Sequence, residues 1–130
     1  MLEIGIKGEC ETTVTPSGTA LEMGSGDLMV FATPAMLALM EKTAAESVSR
    51  FLEDGQTTVG ISASISHVSA TPVGQLVRCE SILTAVDGKK LSFSVRAFDS
   101  HGLIGEGVHE RFVVNAEKFF KKAESKNGEV

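Results

Sequence analysis

TPAMLALMEKTAAESVSRFLEDG, Thr33 to Gly55, is the stretch on which the fold turns. Thr33 offers a hydroxyl to cap free backbone amides, and Pro34 suits the first helical turn. Asp54-Gly55 is a stop signal. Between these marks the apolar residues run from Ala35 through Met36, Leu37, Leu39, Met40, Ala44, Ala45 and Val48 to Phe51 and Leu52. They occupy more than the single stripe of a surface helix, so this helix is predicted to be buried on most sides.

What lies downstream must supply that burial. Four strand-like runs follow: Thr57 to Ser69, Leu76 to Val86, Lys89 to Asp99 and Leu103 to Asn115. TPVG, Asp87-Gly88 and His101-Gly102 separate them as turns, which predicts a meander. Leu91, Phe93, Val95 and Ala97 alternate with Ser92, Ser94 and Arg96, the pattern of a sheet with one buried face. Upstream, Glu3 to Val14 reads as a strand. Thr15 to Asp27, punctuated by Pro16, Gly18, Gly24 and Gly26, reads as a loop and a candidate lid or entrance. Glu117 to Ala123 reads as a short closing helix. The order β-α-β-β-β-β plus a C-terminal helix is an α+β class: one curved antiparallel sheet wrapped around one helix, the hot-dog fold. A sheet of this kind leaves edges uncovered, and a second copy is the natural cover, so a homodimer or higher homo-oligomer is expected.

At 130 residues the chain is read as one domain spanning 1–130. Its 42% hydrophobic and 22% charged content is that of a globular protein, with no membrane-length apolar run. The formal charge of −5 argues against nucleic acid as a partner. Lys118, Lys121 and Lys122 read as the solvated face of an amphipathic tail. MLEIGIKGEC carries acids among its apolar residues and no signal-peptide core, which places the protein in the cytoplasm. Cys10 and Cys79 lie far apart in sequence without metal-ligand spacing and read as reduced packing thiols.

Polar residues among apolar ones are the candidates for chemistry. Glu41 has Leu37, Ala38, Ala44 and Ala45 three and four positions away, whereas Glu46 has Lys42, Thr43, Ser49 and Arg50. Burial of Glu41 would raise its pKa and sharpen it as a base or nucleophile; a glutamate at a helix edge is the plainer reading. Thr33, at the helix start, is either a simple N-cap or a group that polarises a carbonyl. It lies about two turns from Glu41 on the same flank. His67 has the parity of Ile61, Ala63 and Ile65 and points with the apolar set, as a core histidine or as a proton carrier. His101 falls in a turn, and His109 lies beside Glu110 and Arg111. No two histidines stand at metal-ligand spacing, so no metal is expected. No nucleophile elbow, phosphate loop or dinucleotide fingerprint occurs.

VFATPAMLALME, Val30 to Glu41, resembles the fluoroacetyl-CoA thioesterase family of hot-dog proteins. The resemblance runs on through VGISASISHVSATPVG, DGKKLSFSVRAFD and GVHERFVVNAEKF. It implies that the family's catalytic threonine, glutamate and histidine fall on Thr33, Glu41 and His67. It also implies that the substrate-contacting glycine and arginine fall on Gly60 and Arg111. Read locally, Gly60 eases a strand bend and Arg111 is a surface cation. The resemblance weakens before Val30: fluoroacetyl-selective members carry an aromatic lid there, and Thr15 to Met29 contains no Phe.

The reading that follows is hydrolysis of a short- or medium-chain acyl-CoA. Glu41 is base or nucleophile, Thr33 orients the acyl carbonyl, and His67 transfers protons, with no cofactor. The rival is a non-catalytic acyl-CoA or metabolite-binding protein of the same fold. A hydratase is disfavoured because the Asp and His pair of such hot-dog enzymes is absent.

Overall fold

A computed structural model describes residues 2–128. Met1, Glu129 and Val130, which the expected span 1–130 includes, lie outside the described residues. The elements run β1 (Lys7–Thr13), a 3-10 turn (Pro16–Gly18), α1 (Ala20–Met23), α2 (Thr33–Ser49), β2 (Gln56–His67), β3 (Leu76–Asp87), β4 (Lys90–Asp99), β5 (Gly102–Asn115) and α3 (Ala116–Glu124). Asn115 caps α3 by accepting from the Lys118 amide.

The helix buries one face and not most of its sides, since Ala38, Lys42, Glu46 and Ser49 are exposed, and it ends at Ser49, ahead of Asp54-Gly55. Met36, Met40, Ala44 and Val48, at helical spacing along α2, pack on Val77, Cys79 and Leu83 of β3, Leu91, Phe93, Val95 and Ala97 of β4, and Ile104 and Val113 of β5. The alternation of β4 is realised from Leu91 to Ala97: Leu91, Phe93, Val95 and Ala97 are all buried. Fully burying a Leu, Phe or Val side chain is worth about 1.5–3 kcal/mol, so this face contributes substantially to the drive to fold.

Three further expectations change. The strands form one antiparallel sheet in the order β1-β3-β4-β5-β2. Only β3, β4 and β5 are a meander; β2 pairs with β5 at the far edge, and Val68–Gln75 crosses to the other side of the sheet. Second, Thr33 is not the N-cap. Ala32 holds that position, its carbonyl accepting from the Met36 amide at 2.9 Å, and Thr33 is the first helical residue. Third, the expected loop is partly structured. Thr19 caps α1, and bridges from Thr19 to Phe31 and from Val30 to Pro72 tie the segment down.

Cys10 and Cys79 face each other across β1 and β3, both as free thiols. Burial pushes the Cys79 thiol up to about 11. Among the described residues no helix is long and apolar enough to cross a membrane.

Candidate active site

β2 carries the geometry that the site depends on. Its pairing with β5 slips by one residue between Gly60 and Ser62, a bulge that adds an unpaired residue. A regular strand would turn residues 58 and 60 to one face and 65 and 67 to the other. The extra residue reverses the parity, so Thr58, Gly60, Ile65 and His67 all meet the helix side.

At the far end of β2, the hydroxyl of Thr33 and Nδ1 of His67 share a hydrogen bond of 2.8 Å. Thr33 can make it because Ala32, and not Thr33, caps the helix. Burial holds the His67 pKa below 6.5, so its imidazole is neutral at pH 7. Nε2 of His67 is buried and has no hydrogen-bond partner among the described residues. Both side chains line a cleft of about 270 Å³ together with Ala20, Phe31, Val68 and Ala70. Ala20 opens α1, so the segment read as an entrance does border this cleft.

The other half of the site lies where Glu41 reaches β2. A Cβ on Gly60 would stand 2.6 Å from Glu41 Oε2, so the carboxylate occupies space that only glycine leaves open. Arg111 comes from β5, the direct partner of Gly60 in the ladder. It is a buried cation, 8% exposed, and not a surface one. Its Nε donates to Thr58 Oγ1 at 2.8 Å and its Nη2 to the Thr58 carbonyl at 2.9 Å. Nη1 faces Glu41 Oε2 at 3.8 Å. Burial lowers the Arg111 pKa while the Glu41 charge raises it; a guanidinium keeps its proton regardless.

The expected desolvation of Glu41 is not what the chain provides, since its side chain is 42% exposed. Thr33, Leu37, Glu41 and Ala45 lie four apart along one flank of α2, at the margin of its buried face and next to the edge strand. Helical neighbours report what lies beside Glu41 on the helix, not what covers it.

His109 is the residue that sequence reasoning passed over. It is 1% exposed, its Nδ1 donates to the Ser62 carbonyl at 2.8 Å, and its Nε2 meets Nη1 of Arg111 at 3.2 Å. The signal was available: His109, Arg111 and Val113 have one parity on β5, so a histidine had to share the face of Arg111.

The structure therefore assembles Glu41, Gly60 and Arg111 in one place and Thr33 with His67 in another. Eight helical residues separate Thr33 from Glu41, about 12 Å of rise. Gly60 and His67 pair with Arg111 and Gly105, six residues apart along β5, which is about 20 Å.

The family described as fluoroacetyl-CoA-specific thioesterase matches residues 14–117. The match thus begins well before Val30, where the sequence reading had it weaken. A fluoroacetyl-CoA thioesterase of Streptantibioticus cattleyicolor is 39% identical over 97 residues, which is 75% of this chain and 70% of that protein. A solved structure of the fluoroacetyl-CoA thioesterase FlK superposes with a TM-score of 0.92 at 31% identity, covering 98% of this chain and 99% of that one. A variant of that enzyme has been solved in complex with acetyl-CoA. A thioesterase superfamily member from Thermus thermophilus superposes with a TM-score of 0.87 at 26% identity, covering 97% and 96%.

Proposed function

Because the chain belongs to the fluoroacetyl-CoA-specific thioesterase family, we propose that it hydrolyses a short- or medium-chain acyl-CoA to the free acid and CoA. The observation that carries the site assignment is the contact of Glu41 with Gly60 and Arg111, matched by the hydrogen bond of Thr33 to His67. Glu41 serves as base or nucleophile toward the thioester carbonyl. Thr33 orients the acyl group, and neutral His67 accepts a proton from the attacking water. Arg111 supplies the positive charge that faces the Glu41 carboxylate, and Gly60 lets backbone and substrate approach closely. An oxygen–carbon bond forms, the carbon–sulfur bond breaks, and CoA leaves as thiolate.

One chain keeps the two halves too far apart for a single carbonyl to touch both. The working unit in this reading is a cytoplasmic homodimer. Supporting it, β2 is a free edge of the sheet, and Gly60 to Ser64 is exposed along its whole length, apolar Ile61 included. Two β2 edges paired antiparallel about Ser64, with Ile61 as the extra residue of the bulge, would set His67 opposite Gly60 of the partner subunit. Each pocket then takes Thr33 and His67 from one chain and Glu41, Gly60 and Arg111 from the other.

The test is release of free CoA from a panel of acyl-CoAs by wild type and Glu41→Gln. Turnover lost by about 100-fold or more in the variant is the expected result, the size typical of a positioned acid–base group. Acyl-CoA bound without turnover by wild type would instead make this a binding protein.

A further inference from the structure

We propose that His109 is a positioning residue: its neutral imidazole fixes the plane of the Arg111 guanidinium against the Glu41 carboxylate. The inference rests on the roles given above to Glu41 and Arg111.

Its neighbours determine the tautomer. The Ser62 carbonyl offers only lone pairs, so Nδ1 must carry the hydrogen of the 2.8 Å bond. Arg111 offers only N–H groups, so Nε2 must accept from Nη1 across 3.2 Å. A proton on Nε2 would set N–H against N–H in a buried place. The ring is further held by Phe93, whose centroid lies 6.3 Å away in a stacked arrangement.

What the bond achieves follows from the geometry of the fork. Thr58 takes Nε and Nη2, both on one side of the guanidinium. Two bonds to one residue leave the plane free to hinge about the line that joins them. The third bond, from the opposite edge to His109, removes that hinge and sets where Nη1 stands relative to Glu41, 3.8 Å away. A neutral acceptor suits this role. A carboxylate in its place would compete with Glu41 for the cation, whereas imidazole leaves the positive charge directed at Glu41. Ser62 sits at the β2 bulge, so the feature that brings Gly60 and His67 to one face also supplies the carbonyl that orients His109.

The experiment compares CoA release by wild type, His109→Met, His109→Gln and Glu41→Gln, with folding of each followed by thermal melting. Methionine keeps the bulk and loses the acceptor, and kcat/KM should fall about 10- to 100-fold, mainly in kcat, the range for leaving a buried charged donor unpaired. Glutamine places Oε1 near the position of Nε2 and should restore activity to within about fivefold of wild type. Restoration by glutamine is the readout that a purely structural role would not give. If His109→Met matches wild type while Glu41→Gln is inactive, this inference alone fails; turnover surviving in Glu41→Gln overturns both readings. Nitrogen NMR of the wild-type imidazoles gives an answer independent of how the variants fold: His109 should show hydrogen on Nδ1 and a bare Nε2. Hydrogen on Nε2 overturns the proposal.

Discussion

His67 titrates in a direction that its surroundings dictate. Desolvation disfavours the imidazolium, so the histidine is half-protonated below its usual 6.5 and neutral above it. As proton acceptor it works only when neutral. Activity carried by this group is therefore held on the alkaline side of the lowered pKa and lost as pH falls through it. The pH profile of kcat/KM should show an acid limb with its midpoint below 6.5, and His67→Asn should remove that limb along with most of the rate. A midpoint above 6.5, or a limb unchanged in the variant, would assign the titration elsewhere. At this scale the sequence was most informative where a polar residue stood among apolar ones, which singled out Glu41 and His67; Thr33 was singled out by its place at the helix start. It was less informative about contacts. The half-exposed state of Glu41 depends on which strand lies beyond its flank, and helical spacing does not carry that. The place of His109 followed from its parity with Arg111, but its neighbours in sequence, Glu110 and Arg111, drew attention to the wrong relation.

Glycines mark where α2 and the sheet come closest, and two of them have opposite consequences. At Gly8 of β1, a Cβ would meet Ser47 Cβ at 2.7 Å and the Thr43 carbonyl at 2.8 Å, atoms of the helix framework that cannot step aside. Gly8→Ala should cost about 1–3 kcal/mol of stability as overpacking while leaving turnover per folded molecule unchanged. At Gly60 the obstructed atom is the flexible end of Glu41. Gly60→Ala should melt within a few degrees of wild type yet lose about 100-fold in turnover, since a carboxylate displaced by 1 Å costs about that much. Denaturant melts and CoA release on the two variants separate these outcomes; equal losses of stability would show that the close approach at Gly60 serves packing. Element boundaries were largely legible, because period-2 alternation and turn residues mark β3, β4 and β5 within one or two residues. The position of β2 was not. Consecutive strands usually pair, and nothing in Val68 to Gln75 announces a crossing past β5 and β4 to β3.

For the whole molecule, the separation of the two half-sites makes a prediction that a self-contained site does not share. Thr33→Ala and Glu41→Gln should each be inactive alone. Mixed and allowed to exchange subunits, they should form heterodimers in which one pocket is doubly defective and the other intact. Random pairing puts about half the dimers in that state, so about a quarter of wild-type activity should return. A mixture that stays inactive, with light scattering showing dimers that have exchanged, would mean that each chain completes its own pocket. Edge exposure at β2 was foreseen in outline from the fold class, since an open sheet around one helix needs a second cover. The bulge in that edge was not, because one extra residue in a strand looks like any other.

That bulge also sets how the site would fare under different kinds of genetic change. Substitutions along Gly60 to Ser62 leave the count of residues unaltered, and the face of His67 with it. Loss of the single codon for Ile61 would remove the bulge yet leave Gly60 and His67 an even six apart, so plain alternation would keep Ile65 and His67 on the helix side and cost only the local kink. The spacing of seven between Gly60 and His67 is therefore bound to the bulge: an odd count needs the kink to bring both to one face, whereas a single added residue with the kink kept would part them.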